Sequence, residues 1–390
     1  MIRNKRLSTV LSWGAAILFF FLLRPYFTWS FALNNRVNFL VSAVLFFVFI
    51  LHIKSLSVRE FGLFVFLIIT VGIYSIRAGS NLLGLLSILF IVPLPFANDK
   101  LMRSVFDKFT NIYCIIVGLS LLSWILVLMG VLHSIGTLSP LDETKTGIYG
   151  TYWVYPLCVS QGLDIRFYGP FDEPGVVGTV SALLLFCNRG TLRSFKSIVL
   201  LLTGMFSLSL FFYIIVIVYY LLFGVSKLNR SKSIVVALSL FAGFYFLTRN
   251  NDTMRSVLWD RFLWDSSIGA IAGEDRMRGN DDVFDRIRGT SEYWYGVKDK
   301  DAYLSQVEGS SSYKNVIALN GMFFFILYIL FFISYGLIHK TNNVSFVVYL
   351  IVFFATIYQR PGLFSFVWFF LFTYMARLDK ISNTKIASRT

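Results

Sequence analysis

The stretch Ser197–Val225, SIVLLLTGMFSLSLFFYIIVIVYYLLFGV, decides the fold. It carries no charged residue. A helix crossing the hydrocarbon core of a bilayer needs about 20 mostly apolar residues. This run is too long for one crossing and short for two. Ser207-Leu208-Ser209 interrupts its middle with two hydroxyls. Two helices meeting there on one membrane face is the first reading. One long tilted helix is the alternative, and it changes the parity of everything downstream.

The rest of the chain has the same character. Of 390 residues, 56% are hydrophobic and 14% are charged, whereas roughly a quarter are charged in a soluble domain. The 42 Phe suit a surface that faces lipid. Cys114, Cys158 and Cys187 are an odd number, widely spaced and without a CxxC, which argues against a disulfide framework or a structural zinc site. Apolar runs lie near 8–23, 37–53, 61–76, 82–97, 111–133, 175–188, 197–207, 208–225, 233–248, 317–338, 344–358 and 362–376. They predict an all-α polytopic membrane protein of about 12 transmembrane helices (about 10 to 12), folded as one integral membrane domain over 1–390. Arg3, Lys5 and Arg6 ahead of the first run resemble a signal peptide. No small-x-small cleavage site follows, so an uncleaved first span is expected.

Charge tests the parity. With the N-terminus cytoplasmic and twelve spans, 19 of the 35 basic residues fall in short inner loops and tails. Among them are Lys54, Arg103, Lys108, Lys227, Arg230, Lys232, Lys340 and Arg377. The short outer loops hold only Arg24, Arg36, Arg77 and Arg360. The positive-inside rule therefore predicts both termini cytoplasmic. A single span at 197–225 would put Lys227, Arg230 and Lys232 outside and break the rule. The net charge of +14 is thus spent on topology, and no nucleic-acid partner is expected.

Of the 21 acids, 17 fall in two outer loops, about 134–174 and 249–316. A transporter tends to keep its key polar groups near the midplane, and few charges lie within these spans. The two loops, at the outer membrane–water boundary, are therefore expected to form the site.

The first loop ends Arg166-Phe167-Tyr168-Gly169-Pro170-Phe171-Asp172-Glu173-Pro174-Gly175 and then a span begins. A helix N-terminus favours anions, an Arg adds a fork suited to phosphate, and a nearby carboxylate can act as general base. Equally, Asp172 and Glu173 cap the next helix and Arg166 pairs with one of them. The second loop carries Arg276-Met277-Arg278-Gly279 and, ten residues on, Arg286-Ile287-Arg288-Gly289. Four outer arginines fit a pyrophosphate or acidic-sugar cluster. They also fit a solvated helix paired with Asp281, Asp282 and Asp285. Asp281-Asp282 has no His or third acid at metal spacing, so no metal is expected. Met254, Val257, Leu258, Phe262 and Leu263 recur at helical spacing beside Trp259 and Trp264, which predicts a short amphipathic helix on the membrane surface. Tyr293-Trp294-Tyr295 suits either sugar stacking or interfacial anchoring. Arg360, at a Pro–Gly break, is either a further phosphate contact or a snorkelling side chain.

Architecture and motifs together resemble the bacterial O-antigen and capsule polymerases of the Wzy type, which share a superfamily with the O-antigen ligases. The likeness rests on Arg166-x-x-Gly169-x-Phe171-x-x-Pro174-Gly175, on the split around Ser207 and Ser209, and on Ser312-Tyr313 through Asn320-Gly321. Where the ligases carry a His at the return of the large loop, this chain has Ser310-Ser311-Ser312, which favours a polymerase.

The resemblance implies a glycosyltransferase of the bacterial inner membrane with a periplasmic active face. It would take undecaprenyl-pyrophosphate-linked oligosaccharide from the bilayer, without nucleotide, metal or other cofactor, and a chain-length regulator is a possible partner. Arg166 and Arg288 would hold the pyrophosphate with Arg286, Arg360, Arg278 and Tyr313 in support. Glu173, and after it Asp172, would accept the acceptor's proton. The alternatives are an O-antigen ligase, or a flippase or transporter of the same lipid-linked units.

Overall fold

A computed structural model describes residues 2–31, 35–77, 82–138, 149–152, 158–160, 166–188, 194–223, 283–306, 313–360, 362 and 364–381, with 249, 255, 260, 264–265 and 270–271. Among these, Val58–Ile76, Asp99–Leu128 and Met322–His339 are long and apolar enough to cross a membrane. Shorter apolar helices accompany them. The chain is a helical membrane protein. In chain order the helices are α1 (Ile2–Leu22), α2 (Asn35–Ile50), α3 (Val58–Arg77), α4 (Leu82–Leu89), α5 (Asp99–Leu128), α6 (Pro174–Asn188), α7 (Phe195–Phe206) and α8 (Leu210–Phe223). They continue with α9 (Ser291–Tyr295), α10 (Lys300–Gln306), α11 (Tyr313–Asn320), α12 (Met322–His339), α13 (Asn343–Gln359) and α14 (Phe366–Ala376).

Contacts divide the chain into two compact units. The first holds Met1–Ile116, Leu141–Lys145 and Asp282–Thr390, and the second holds Val117–Pro140 and Thr146–Asp281.

In the first unit the helix starts are set by local chemistry. Ser57 and Glu60 form a reciprocal capping box at α3, with Ser57 N donating to Glu60 Oε2 at 3.0 Å and Glu60 N donating to Ser57 Oγ at 3.3 Å. Asn98 Oδ1 accepts from Leu101 N at 2.8 Å to start α5, and Asn342 Oδ1 accepts from Ser345 N at 2.7 Å to start α13. The core between these helices is aromatic. Phe106 stacks on Tyr374 at 4.1 Å, and Phe332 lies 4.9 Å from Phe369.

Two expected spans are not continuous helices. Residues 82–97 give an eight-residue helix and then turns, because Pro93 and Pro95 remove donors and fix the backbone. Residues 317–338 are split at Gly321, whose φ of +92° separates α11 from α12, so the long apolar helix begins at Met322. A Cβ at Gly321 would collide with the Trp294 carbonyl oxygen.

The second unit contains α6 to α8 and corrects the all-α expectation. Strands β1 (Ser134–Leu138), β2 (Tyr149–Tyr152) and β3 (Cys158–Ser160) form an antiparallel sheet in the order β1-β2-β3, and β4 (Trp264–Asp265) pairs with β5 (Ala270–Ile271). Trp264 thus sits in a strand. Most of the amphipathic helix expected around 254–264, and the span expected at 233–248, lie outside the described residues.

Candidate functional site

The break at Ser207-Leu208-Ser209 is a sharp corner between α7 and α8. Leu208 adopts a left-handed φ of +49°. Such a turn interrupts the helical bonding of the carbonyls at the end of α7, and three carbonyls here accept from other segments. Tyr213 Oη donates to Met205 O at 2.8 Å, Phe167 N to Phe206 O at 2.8 Å, and Arg166 Nε to Ser207 O at 3.3 Å. Arg166 thus lies at the negative end of a helix dipole, where a cation is favoured.

The segment around it is wedged into the unit. Phe167 and Phe171 are fully buried, and Trp124 lies 5.7 Å from Phe167 and 5.3 Å from Phe206. Each such ring is worth about 1.5–3 kcal/mol relative to exposure in water. Gly169, at φ +56°, lets the chain turn over the Phe167 ring, which a Cβ there would meet at 3.3 Å. Gly178, the fifth residue of α6, leaves room for the corner: a Cβ would collide with Ser209 and come within 2.7 Å of Ser207 Oγ. Arg166 retains 9% exposure, and Asp172 and Glu173 are half-buried just ahead of Pro174, the first residue of α6. The pre-helix motif is therefore held at one end of α6 by the corner at Ser207-Leu208-Ser209.

Arg286, Arg288, Tyr313 and Arg360 lie in the first unit. Phe284 and Ile287 are buried in a helical turn at 283–287, while Arg286 and Arg288 on the same stretch are exposed. Arg286 donates to Gln306 Oε1 at 3.1 Å. Tyr313 stacks on Tyr358 at 5.8 Å, next to Arg360 at the C-terminus of α13. Arg278 lies outside the described residues. Arg166, Asp172 and Glu173 thus share one unit, and Arg286, Arg288, Tyr313 and Arg360 share the other. Among the described residues, no group of three or more His, Cys, Asp or Glu is placed to hold a metal ion.

The sequence counted Arg377 as a topological charge, yet the structure buries it completely. It pairs with Asp99 at 2.7 Å and donates through Nη1 to Ala97 O at 2.8 Å and Pro95 O at 3.3 Å. Tyr335 Oη donates to the same Pro95 carbonyl at 2.7 Å. At this end of the unit Lys54 is ion-paired with Glu60, and His339 Nε2 lies 3.7 Å from the same carboxylate. Burial pushes the Lys54 ammonium pKa down, while its bond to Glu60 pulls it back up. These residues close the ends of α3, α5, α12 and α14. The partners of Arg377, Tyr335 and His339 are far apart in sequence, so no local signal marks them.

Comparison with known family models, curated proteins and solved structures finds no match.

Proposed function

We propose that this protein is a polymerase of lipid-linked glycan repeat units, working at the periplasmic face of a bacterial inner membrane that it crosses about twelve times. The observation that carries this reading is the Arg166–Pro174 segment, packed on the Ser207–Ser209 corner at the start of α6. It supplies a cation, two half-buried carboxylates and a helix start within a few residues of one another. That is the chemistry needed to hold a pyrophosphate and take up a proton beside a membrane.

In the proposed reaction an acceptor hydroxyl on a new repeat unit attacks the anomeric carbon of the growing glycan. The bond from that carbon to the pyrophosphate oxygen breaks, and undecaprenyl pyrophosphate leaves with the electron pair. Charge gathers on the leaving oxygen, and a fixed guanidinium stabilises it. Arg166 takes this role. The acceptor proton passes to Glu173, with Asp172 as its alternate. Tyr313 contacts the substrate. The ligase reading shares the donor and differs in the acceptor.

The test is direct. Purified protein in detergent, given a lipid-pyrophosphate-linked repeat unit without nucleotide, should yield a ladder of multiples on a gel. Glu173→Gln should bind the lipid and yield no ladder. A folded wild-type protein that forms no ladder from its cognate unit would shift the reading to transport, to be measured as flipping in liposomes.

A further inference from the structure

We propose that a pocket of the first unit, between the C-terminal end of α3 and the α9–α12 region, seats the proximal isoprenoid chain of a polyprenyl pyrophosphate. The choice of occupant rests on the function proposed above. The site is a cavity of about 270 Å³ lined by Ile73 and Ile76 of α3, Trp294 and Tyr295 of α9, and Phe323 and Phe324 of α12. Asn320 adds one amide, and its Nδ2 already donates to Val316 O at 3.1 Å. A sugar would bring several hydroxyls into this wall and leave most of them without partners, which a buried site penalises. A hydrocarbon chain brings none.

The pocket opens onto an exposed apolar surface. Ile76 is 78% exposed, Phe323 48% and Trp294 49%. Ile69 on α3 and Ile326 on α12 continue the exposed apolar surface along the same two helices. Both are long enough to cross a membrane, and in a bilayer their exposed apolar faces would meet lipid chains.

The walls are fixed by two glycines. Gly296 (φ +87°) and Gly321 (φ +92°) press α9 against the α11–α12 joint, and a Cβ on Gly296 would come within 2.9 Å of the Leu319 carbonyl oxygen. Val297 N donates to Ala318 O at 2.8 Å across the same joint.

The other side of the pocket leads to cations. Trp294 lies 5.6 Å from Tyr293, Tyr293 lies 5.9 Å from Phe284, and the Lys314 ammonium sits 5.8 Å over the Phe284 ring. Arg286 and Arg288 flank Phe284 on the exposed side of its turn. Apolar seat, aromatic bridge and cationic rim follow one another in the order of chain and pyrophosphate in a polyprenyl carrier. Its branched, planar alkene units also lie well against ring faces.

The experiment uses the full chain in nanodiscs with a polyprenyl pyrophosphate carrying a diazirine in its first isoprene units. After illumination, labelled peptides are mapped by mass spectrometry. The expected result is labelling within 69–76 or 319–326, reduced roughly tenfold by unlabelled polyprenyl pyrophosphate and unchanged by phosphatidylglycerol. Ile73→Trp, which fills the cavity, should lose the label. Ile76→Trp, at the exposed mouth, should lose it as well and cannot act by disturbing the core. Equal competition by phosphatidylglycerol would make this a general bilayer-lipid site and overturn the proposal, as would labelling confined to other peptides. Ladder formation is measured on the same samples. Pocket labelling without a ladder upholds the seat and removes the polymerase; a ladder without pocket labelling does the reverse.

Discussion

Two buried arginines behave differently in this molecule. Arg377 is wholly enclosed, paired with Asp99 and bound to two backbone carbonyls nearly three hundred residues away in sequence. Arg166 keeps 9% exposure and bonds through Nε to the carbonyl of a helix corner 41 residues on. The first joins distant helix ends through an ion pair. The second caps a helix and belongs to a segment that also brings two carboxylates to a helix start. Burial alone therefore does not mark a functional arginine. What surrounds it decides whether its charge serves the fold or a ligand.

The comparison breaks most visibly at Arg377. Arg377→Met leaves the half-buried Asp99 carboxylate and the Pro95 and Ala97 carbonyls without their partner, which costs about 1–3 kcal/mol. The variant should fail to give a monodisperse, folded protein in size-exclusion chromatography. Arg377→Met combined with Asp99→Leu should recover part of the loss, since an apolar pair of similar volume often replaces a buried ion pair.

Gly178→Ala sharpens the other side. Its methyl collides with Ser209 and crowds Ser207, so the corner must move, at about 1–3 kcal/mol in thermal unfolding. Because the Arg166 bond is made to that corner, polymer formation should fall further than the stability loss alone explains. Glu60→Gln comes next. It weakens the ion pair to Lys54 and the capping box of α3, at about 1 kcal/mol with no change in the ladder.

The smallest effect concerns the large loop. Burial raises the Tyr303 hydroxyl to about 12, and it donates to Asn315 Oδ1 at 3.0 Å. Its folded pKa lies above the ordinary tyrosine value of 10.0, so the stabilisation is complete below that pH and is lost as pH rises towards about 12. Hydrogen exchange at α10 and α11 should accelerate over that window in the wild type. In Tyr303→Phe the exchange should be faster already at neutral pH, without the added rise.

The corner at Ser207-Leu208-Ser209 was legible because two hydroxyls interrupt an apolar, uncharged run too long for one span. The start of α6 was legible from Pro174 and its acids. The β1–β2 pairing was not, since Ser134–Leu138 and Tyr149–Tyr152 are short, contain glycine and lack a clear alternation. The split at Gly321 was hidden because α11 and α12 are both apolar at their junction, and the reason for the break is the close approach of Trp294 from another element. The Arg377 cluster and the aromatic pocket are likewise made by residues that only the fold brings together.

The central claim is tested most directly by Arg166→Lys, which keeps the charge and loses the fork. Ladder formation from a lipid-pyrophosphate-linked repeat unit is measured beside the thermal midpoint of the same preparation. The account predicts a wild-type ladder, an Arg166→Lys midpoint close to wild type, and polymer reduced by a factor on the order of 100 or more. A well-folded Arg166→Lys that makes wild-type ladders would contradict it and leave Arg166, like Arg377, a residue of the fold.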